Sequence, residues 1–141
     1  ESVFVADFIG SPSMNLIEGK LKKHDNNIIF MPNGSNDSIK IPVGNYSFKN
    51  KFENTELTTY LGIRPEHIYF DKINPDCFEI DLKSELLEYT GHEQIVTFDY
   101  FGQQILGKFA STFDIEINKE LKLNIDKSQI SLFDKDSKKR I

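Results

Sequence analysis

Tryptophan is absent from the 141 residues, and cysteine occurs once, as Cys77. A single cysteine excludes an internal disulfide, which is typical of proteins from a reducing compartment. Cys77 also lacks a CxxC partner, so it is interpreted as structural rather than nucleophilic. No apolar run approaches the roughly 20 residues that cross a bilayer. The sequence also opens without the pattern of a signal peptide.

An excess of basic charge is lacking as well, since 17 Lys and Arg stand against 22 Asp and Glu, for a net charge of -5. Surfaces that track phosphates are usually basic, so this balance argues against nucleic acid as a partner. Phe98, Tyr100 and Phe101 could stack on bases in a small barrel. However, Phe98 and Tyr100 share one face of a predicted strand, opposite Ile105 and Phe109, which favours core packing.

Patterns for catalysis, cofactors and metals are missing too. The phosphate-binding pattern GxxxxGK[ST] does not occur. The three histidines, His24, His67 and His92, stand far apart and form no ligand-spaced pair. Glu85 and Glu88 are close in sequence, but carboxylates at such positions are usually solvated, and acid–base catalysis needs two of them across a cleft. The sequence therefore predicts no catalytic, cofactor-binding or metal-binding residue within this chain.

A short helix is predicted at the start of the sequence. Ser2 suits a helix N-cap, and Phe4 and Phe8 follow at the i, i+4 spacing of one helix face. Gly10 suits the position just past the end, and Pro12 prevents continuation. A helix this short needs a surface to lie on.

The rest of the sequence predicts strands, because apolar and polar residues alternate in short runs between turns. Hairpins are expected at residues 24–26 and near Gly102. Many short strands with one small helix predict a mainly β chain that forms a closed or nearly closed barrel. We expect one domain over residues 1–141, with strand clusters at about 1–70 and 71–141. The predicted strands cover residues 16–22, 27–31, 39–43, 57–64, 78–83, 95–101, 103–110, 121–125 and 130–133.

Four stretches resemble one family in order and spacing. The segment from Phe4 to Asn15 (FVADFIGSPSMN) and the segment from Leu61 to His67 (LGIRPEH) are the specific pair. Two weaker stretches follow, Glu88 to Gly91 (EYTG) and Leu132 to Asp134 (LFD), the latter accompanied by Arg140-Ile141. Together they resemble the C-terminal regulatory domain, of OB-fold or TOBE type, in ATP-binding subunits of ABC-type sugar importers. The maltose-transporter ATPase group is the nearest description.

This resemblance implies an OB-fold-like barrel with additional strands and a short N-terminal helix, used for protein contacts. It implies that ATP and magnesium are handled by an N-terminal ATPase domain absent from this sequence. The parent subunit would act in the cytoplasm, peripheral at the inner face of the membrane, against permease subunits. The domain itself would be a non-catalytic regulatory element that forms a homodimer and, in some members, receives a regulatory protein.

Candidate contact and bend residues come from the two specific motifs. Arg64 and Glu66 flank Pro65 and could form either a local ion pair or a contact between subunits. An alternative function is a barrel that binds a small oxyanion or single-stranded nucleic acid, for which Gly62 with Arg64 is the candidate pair. The full set of candidate interface residues is Phe8, Gly10, Pro12, Met14, Asn15, Arg64, Pro65, Glu66 and His67.

Overall fold

A computed structural model describes residues 14–24, 27–36, 38–44 and 56–141. Strands dominate this part of the chain, so the mainly β prediction is confirmed. The helix predicted ahead of Gly10 lies outside the described residues. The strands are β1 (Asn15–His24), β2 (Asn27–Pro32), β3 (Ile41–Pro42), β4 (Glu56–Ile63), β5 (Ile68–Tyr69), β6 (Cys77–Thr90), β7 (Glu93–Tyr100), β8 (Gln103–Ala110), β9 (Glu120–Asp126) and β10 (Ser131–Asp134), with 3₁₀ turns at Pro65–His67 and Lys127–Gln129.

The first sheet has five antiparallel strands in the order β10-β4-β1-β2-β3. Its long central strand β1 pairs with β2 from Gly19 onward and with β4 along most of its length. Ile17 and Leu21 on one face of β1 are buried, whereas Lys20 is exposed. This is the alternation that a strand with one face on a core requires.

The second sheet has the order β5-β9-β6-β7-β8. Its long strand β6 pairs with β9 from Cys77 to Lys83 and with β7 from Lys83 onward, so it changes neighbours halfway. A β-bulge at Ser84 marks the change. The buried Ser84 hydroxyl donates to the Glu116 carbonyl at 2.6 Å. Strand β6 is thus longer than the predicted strand 78–83, because it continues past the bulge to Thr90 and pairs there with β7.

The hairpin between β7 and β8 turns at Phe101 and Gly102, as the glycine predicted. Both residues have positive φ, of 52° and 84°, which is the backbone of a two-residue turn that matches strand twist. Phe101 therefore adopts the left-handed conformation that bulky residues rarely occupy, and the residue is 42% exposed.

The core contains side chains from both sheets, including Leu21, Phe30 and Leu61 of the first and Phe98 and Ile105 of the second. The predicted core role of Phe98, Tyr100, Ile105 and Phe109 is confirmed, because all four are buried. Strand β10 comes from the end of the chain yet joins the first sheet, beside β4. The two halves of the sequence are therefore interlocked rather than stacked as separate units. No helix in the described residues is long and apolar enough to cross a membrane.

Candidate functional site

The two specific sequence motifs meet in space, although some fifty residues separate them. Asn15 pairs with Ile63 and Leu16 pairs with Gly62, because β1 and β4 are antiparallel neighbours. The end of the first motif thus lies beside the start of the second. We call this region the motif junction, defined by Met14, Asn15, Gly62 and Ile63.

Gly62 is enclosed at the motif junction. A Cβ atom added there would collide with the Met14 sulfur and come within 3.1 Å of the Phe133 ring, which belongs to β10. A strand glycine of this kind allows close approach of neighbouring groups. The oxyanion alternative, with Gly62 and Arg64 as its candidate pair, needs an open glycine turn, and it stays a prediction. Gly62 lies in β4 beneath two side chains.

Asn15 joins the two sheets. Its side-chain Nδ2 donates to the Leu106 carbonyl at 2.8 Å, and its Oδ1 accepts from the Leu106 N–H at 2.9 Å. Leu106 lies in β8, the edge strand of the second sheet, so the carboxamide takes the place of a missing neighbouring strand. Asn15 is 9% exposed. Both of its side-chain polar atoms are thus used inside the molecule.

A second carboxamide makes the reciprocal contact from the opposite sheet. Gln103 Oε1 accepts from the Glu18 N–H at 2.7 Å, and its Nε2 donates to the Glu18 carbonyl at 3.1 Å. Glu18 lies in β1 just before that strand begins to pair with β2. We call the Asn15–Leu106 and Gln103–Glu18 pairs the carboxamide clamps. No local sequence pattern marks Gln103, because its partner Glu18 is 85 positions away.

The segment Arg64 to His67 leads from β4 into a 3₁₀ turn. Pro65 is buried at the first position of the turn, where its missing N–H costs nothing, and the His67 N–H donates to the Arg64 carbonyl at 2.9 Å. Glu66 is exposed and Arg64 is half-buried. Arg64 and Glu66 form no ion pair with each other in the part of the chain that the structure describes. A local ion pair between Arg64 and Glu66 is therefore not what orders this turn.

His67 and Asp126 lie close together behind this turn. The His67 Nδ1 atom is buried and finds no partner among the described residues. Asp126 is also buried, and its pKa is lowered mainly by the Ser128 N–H, which donates to Oδ1 at 2.8 Å. Asn74 donates to the other carboxylate oxygen at 2.6 Å, and the charge of His67 adds a small effect in the same direction. Asp126 thus orders two loops as a fixed anion.

An exposed aromatic groove lies beside Glu66. It has a volume of about 200 Å³ and is lined by Phe70, Ile73, Phe109 and Phe113, among others. The Phe70 and Phe113 rings stack at 5.3 Å, and Phe70 contacts Phe109 at 4.8 Å. Ile73 and Phe113 are 49% and 45% exposed. The sequence did not reveal this aromatic groove, since its members come from two distant segments, 66–73 and 108–113.

The structure therefore places six of the nine candidate residues. Met14 and Asn15 lie at the motif junction, and residues 64–67 follow it directly and reach the aromatic groove through Glu66. Phe8, Gly10 and Pro12 lie outside the described residues. No group of three or more potential metal ligands occurs within residues 14–24, 27–36, 38–44 and 56–141.

Residues 10–68 match the family model described as the MalK OB fold domain. The predicted resemblance to this domain is confirmed by that match. The OB-fold match includes the first specific motif from Gly10 onward and the whole of the second, and so covers the motif junction. The predicted OB-fold class is confirmed with it.

Curated relatives of this OB-fold chain are import ATP-binding proteins. The chain is 32% identical over 148 residues to the sn-glycerol-3-phosphate import ATP-binding protein UgpC of Psychromonas ingrahamii, covering 99% of this chain and 35% of that protein. It is 27% identical over 144 residues to the oligosaccharides import ATP-binding protein MsmX of Bacillus subtilis, covering 100% and 38%. The chain thus spans little more than a third of the length of these relatives.

A solved structure of the cytoplasmic molybdate-binding protein ModG, with molybdate bound, is similar in fold. The TM-score is 0.59 at 12% sequence identity, over 84% of this chain and 94% of that chain. At this identity the likeness shows the fold alone.

Proposed function

We propose that this chain is a non-catalytic regulatory and dimerisation domain of the ATP-binding subunit of an ABC-type carbohydrate importer. The observation that carries the proposal is the alignment of nearly the whole chain with about a third of each import ATP-binding protein. Residues 1–141 then form one domain. ATP and magnesium bind in an N-terminal domain outside this sequence, which also contacts the membrane permease subunits.

In this proposal the subunit acts in the cytoplasm, peripheral at the inner face of the membrane. The domain's physical task is to keep two subunits associated while their ATPase domains open and close. Coupling of ATP hydrolysis to sugar uptake then depends on a contact that survives this movement. A regulatory protein is a second partner that such a domain can receive.

We place the self-contact around residues 8–15, Arg64 to His67 and the adjoining aromatic groove. A two-fold dimer needs one self-complementary patch of about 800 Å² per partner. The aromatic groove supplies what the centre of such a patch requires, which is exposed aromatic surface that can lose water. Glu66 belongs to both regions and makes them continuous.

Sedimentation equilibrium of the 141-residue chain tests this surface. We expect Phe113→Ser to weaken self-association by about tenfold or more, the usual effect of removing a central aromatic anchor. Tyr89→Ser is the matched control, because Tyr89 is 67% exposed but does not line the aromatic groove. Equal dissociation constants for the two variants, or a strict monomer at high concentration, would contradict the proposed interface.

The parent-subunit part of the proposal has its own test. The coding sequence upstream of Glu1 should contain a phosphate loop of the GxxxxGK[ST] type. A gene that begins at Glu1, with no nucleotide-binding module encoded before it, would refute the proposed role in an importer.

A further inference from the structure

A second groove lies at the opposite end of β8 from the aromatic groove, where β7 ends. It has a volume of about 350 Å³. Strand β7 pairs with β6 only from Lys83 onward, whereas β6 already begins at Cys77. Residues 78–82 of β6 therefore have β9 on one side and no strand on the other within the described residues. An unpaired strand edge offers N–H and C=O groups to an extended chain.

Carboxylates surround this edge. Glu79, Asp81, Asp99 and Glu120 line the groove, against Lys83 alone among basic residues. Lys122 lies 3.6 Å from Asp81 in an exposed pair, and Lys83 is in register with both Asp99 and Glu120 on the neighbouring strands; four carboxylates therefore face two lysines. The remaining excess of negative charge selects a cation. We call this site the acidic groove.

Tyr100 provides a polar group without a partner in the acidic groove. The residue is 3% exposed, and its hydroxyl finds no hydrogen bond among the described residues. Burial, and then the nearby charge of Asp81, raises the pKa of Tyr100 to about 12. The hydroxyl therefore stays neutral at physiological pH and can either accept or donate a hydrogen bond. An unsatisfied buried hydroxyl is costly, so a ligand that meets it gains affinity.

The wall beside Tyr100 is aromatic and apolar. The Phe101 ring packs 4.9 Å from the Tyr100 ring and is partly exposed, and Ile39 also lines the groove. Such a wall suits the aliphatic stem of a long cationic side chain. It also suits the flat face of a guanidinium, which stacks on aromatic rings and bonds carboxylates with two donors at once.

We propose that the acidic groove binds an arginine side chain presented by an extended segment of a partner protein. The guanidinium lies against Asp99 and the Phe101 ring, with Tyr100 below it and Lys83 between Asp99 and Glu120. The segment's backbone adds to the free edge of β6. The open edge is what favours a protein segment over a free cation, because a small molecule would leave the edge unpaired.

Titration followed by backbone amide NMR tests the proposal on the 141-residue chain. The probe is a five-residue capped peptide of valine and threonine with a central arginine, and the matched probe replaces arginine by the neutral isostere citrulline. We expect saturable shifts at residues 78–82 and Asp99 with the arginine peptide. The citrulline peptide should bind at least about tenfold more weakly, since charge-assisted hydrogen bonds are lost.

Variants locate the site. Asp99→Asn should weaken the arginine peptide by about tenfold, whereas Glu88→Gln, an exposed carboxylate of β6 outside the groove, should leave binding unchanged. Equal binding of the two peptides, shifts elsewhere on the chain, or equal effects of the two variants would overturn the proposal. Binding of N-acetyl-argininamide as tight as that of the peptide would overturn the strand-addition part. Each of these outcomes is independent of whether the chain dimerises.

Discussion

Replacement of Asn15 by alanine removes one of the two carboxamide clamps between the sheets. Two hydrogen bonds to Leu106 disappear, of 2.8 and 2.9 Å. The N–H and C=O of Leu106 then lack a partner on the open side of β8. A fully buried backbone group left unpaired costs about 1 to 3 kcal/mol. Since Leu106 is only half-buried and water reaches it in part, the lower end of that range applies to each group.

We therefore expect Asn15→Ala to lower the free energy of unfolding by about 2 kcal/mol. For a chain of this size, that corresponds to a fall in melting temperature of about 5 to 8 °C. Urea unfolding followed by circular dichroism measures the free energy directly, and an unchanged m value would show that the unfolded state is not altered. Gln104→Ala is the matched control, because Gln104 is an exposed carboxamide in the same strand β8.

Gln103→Ala should cost a similar amount, as it opens the second clamp at Glu18. The double variant should lose less unfolding free energy than the sum of the two single losses. Both clamps join strand β1 to strand β8, so their contributions are coupled. The reasoning would be refuted if Asn15→Ala lost no more stability than Gln104→Ala. A double variant whose losses add fully would refute the coupling while leaving the single clamps intact.

Two further predictions concern Gly62 and Tyr100. Gly62→Ala should lower the free energy of unfolding by about 1 to 3 kcal/mol through overpacking. Because Met14 is the nearest obstacle to the added methyl group, Met14→Ala in the same chain should restore part of the loss in thermal unfolding. If it restores none, the methyl group must collide with a different residue. The pKa of Tyr100 is raised to about 12, so below pH 10 both folded and unfolded chains hold the proton. As pH rises from about 10 to 12 the unfolded chain loses it first, and stability falls by about 1.4 kcal/mol per pH unit from this group. Urea unfolding at several alkaline pH values should show a shallower loss for Tyr100→Phe than for the wild type, and parallel curves would contradict the assignment.

Strand positions could be predicted from the sequence because a strand with one buried face repeats every two residues. The alternation around Phe78, Ile80 and Leu82 predicted the first half of β6, and these three side chains are buried. Its second half was missed because Leu86 and Tyr89 are exposed, so the alternation between core and solvent ends at the Ser84 bulge. The turn between β7 and β8 was predicted from Gly102, and that glycine has a positive φ in the structure.

The site was harder to predict, because its contacts join positions far apart in the chain. Asn15 could be selected from a motif, but its partner Leu106 is 91 positions away, and local patterns carry no information at that range. The same limit hid Gln103 and the aromatic groove. Both grooves depend on where strands stop, and strand ends follow from tertiary pairing rather than from local propensity.

The position of β10 constrains how the chain can be made. Leu132 and Phe133 pair with Leu61 and Tyr60 of β4, and the Ile141 N–H donates to the Leu132 carbonyl at 2.9 Å. A ribosome releases β4 long before it releases this partner. The outer side of β4 therefore stays open to solvent and to other chains until β10 has been made, and such delayed long-range pairing is slow. Loss of β10 would remove little mass but would leave β4 without its outer neighbour in the first sheet.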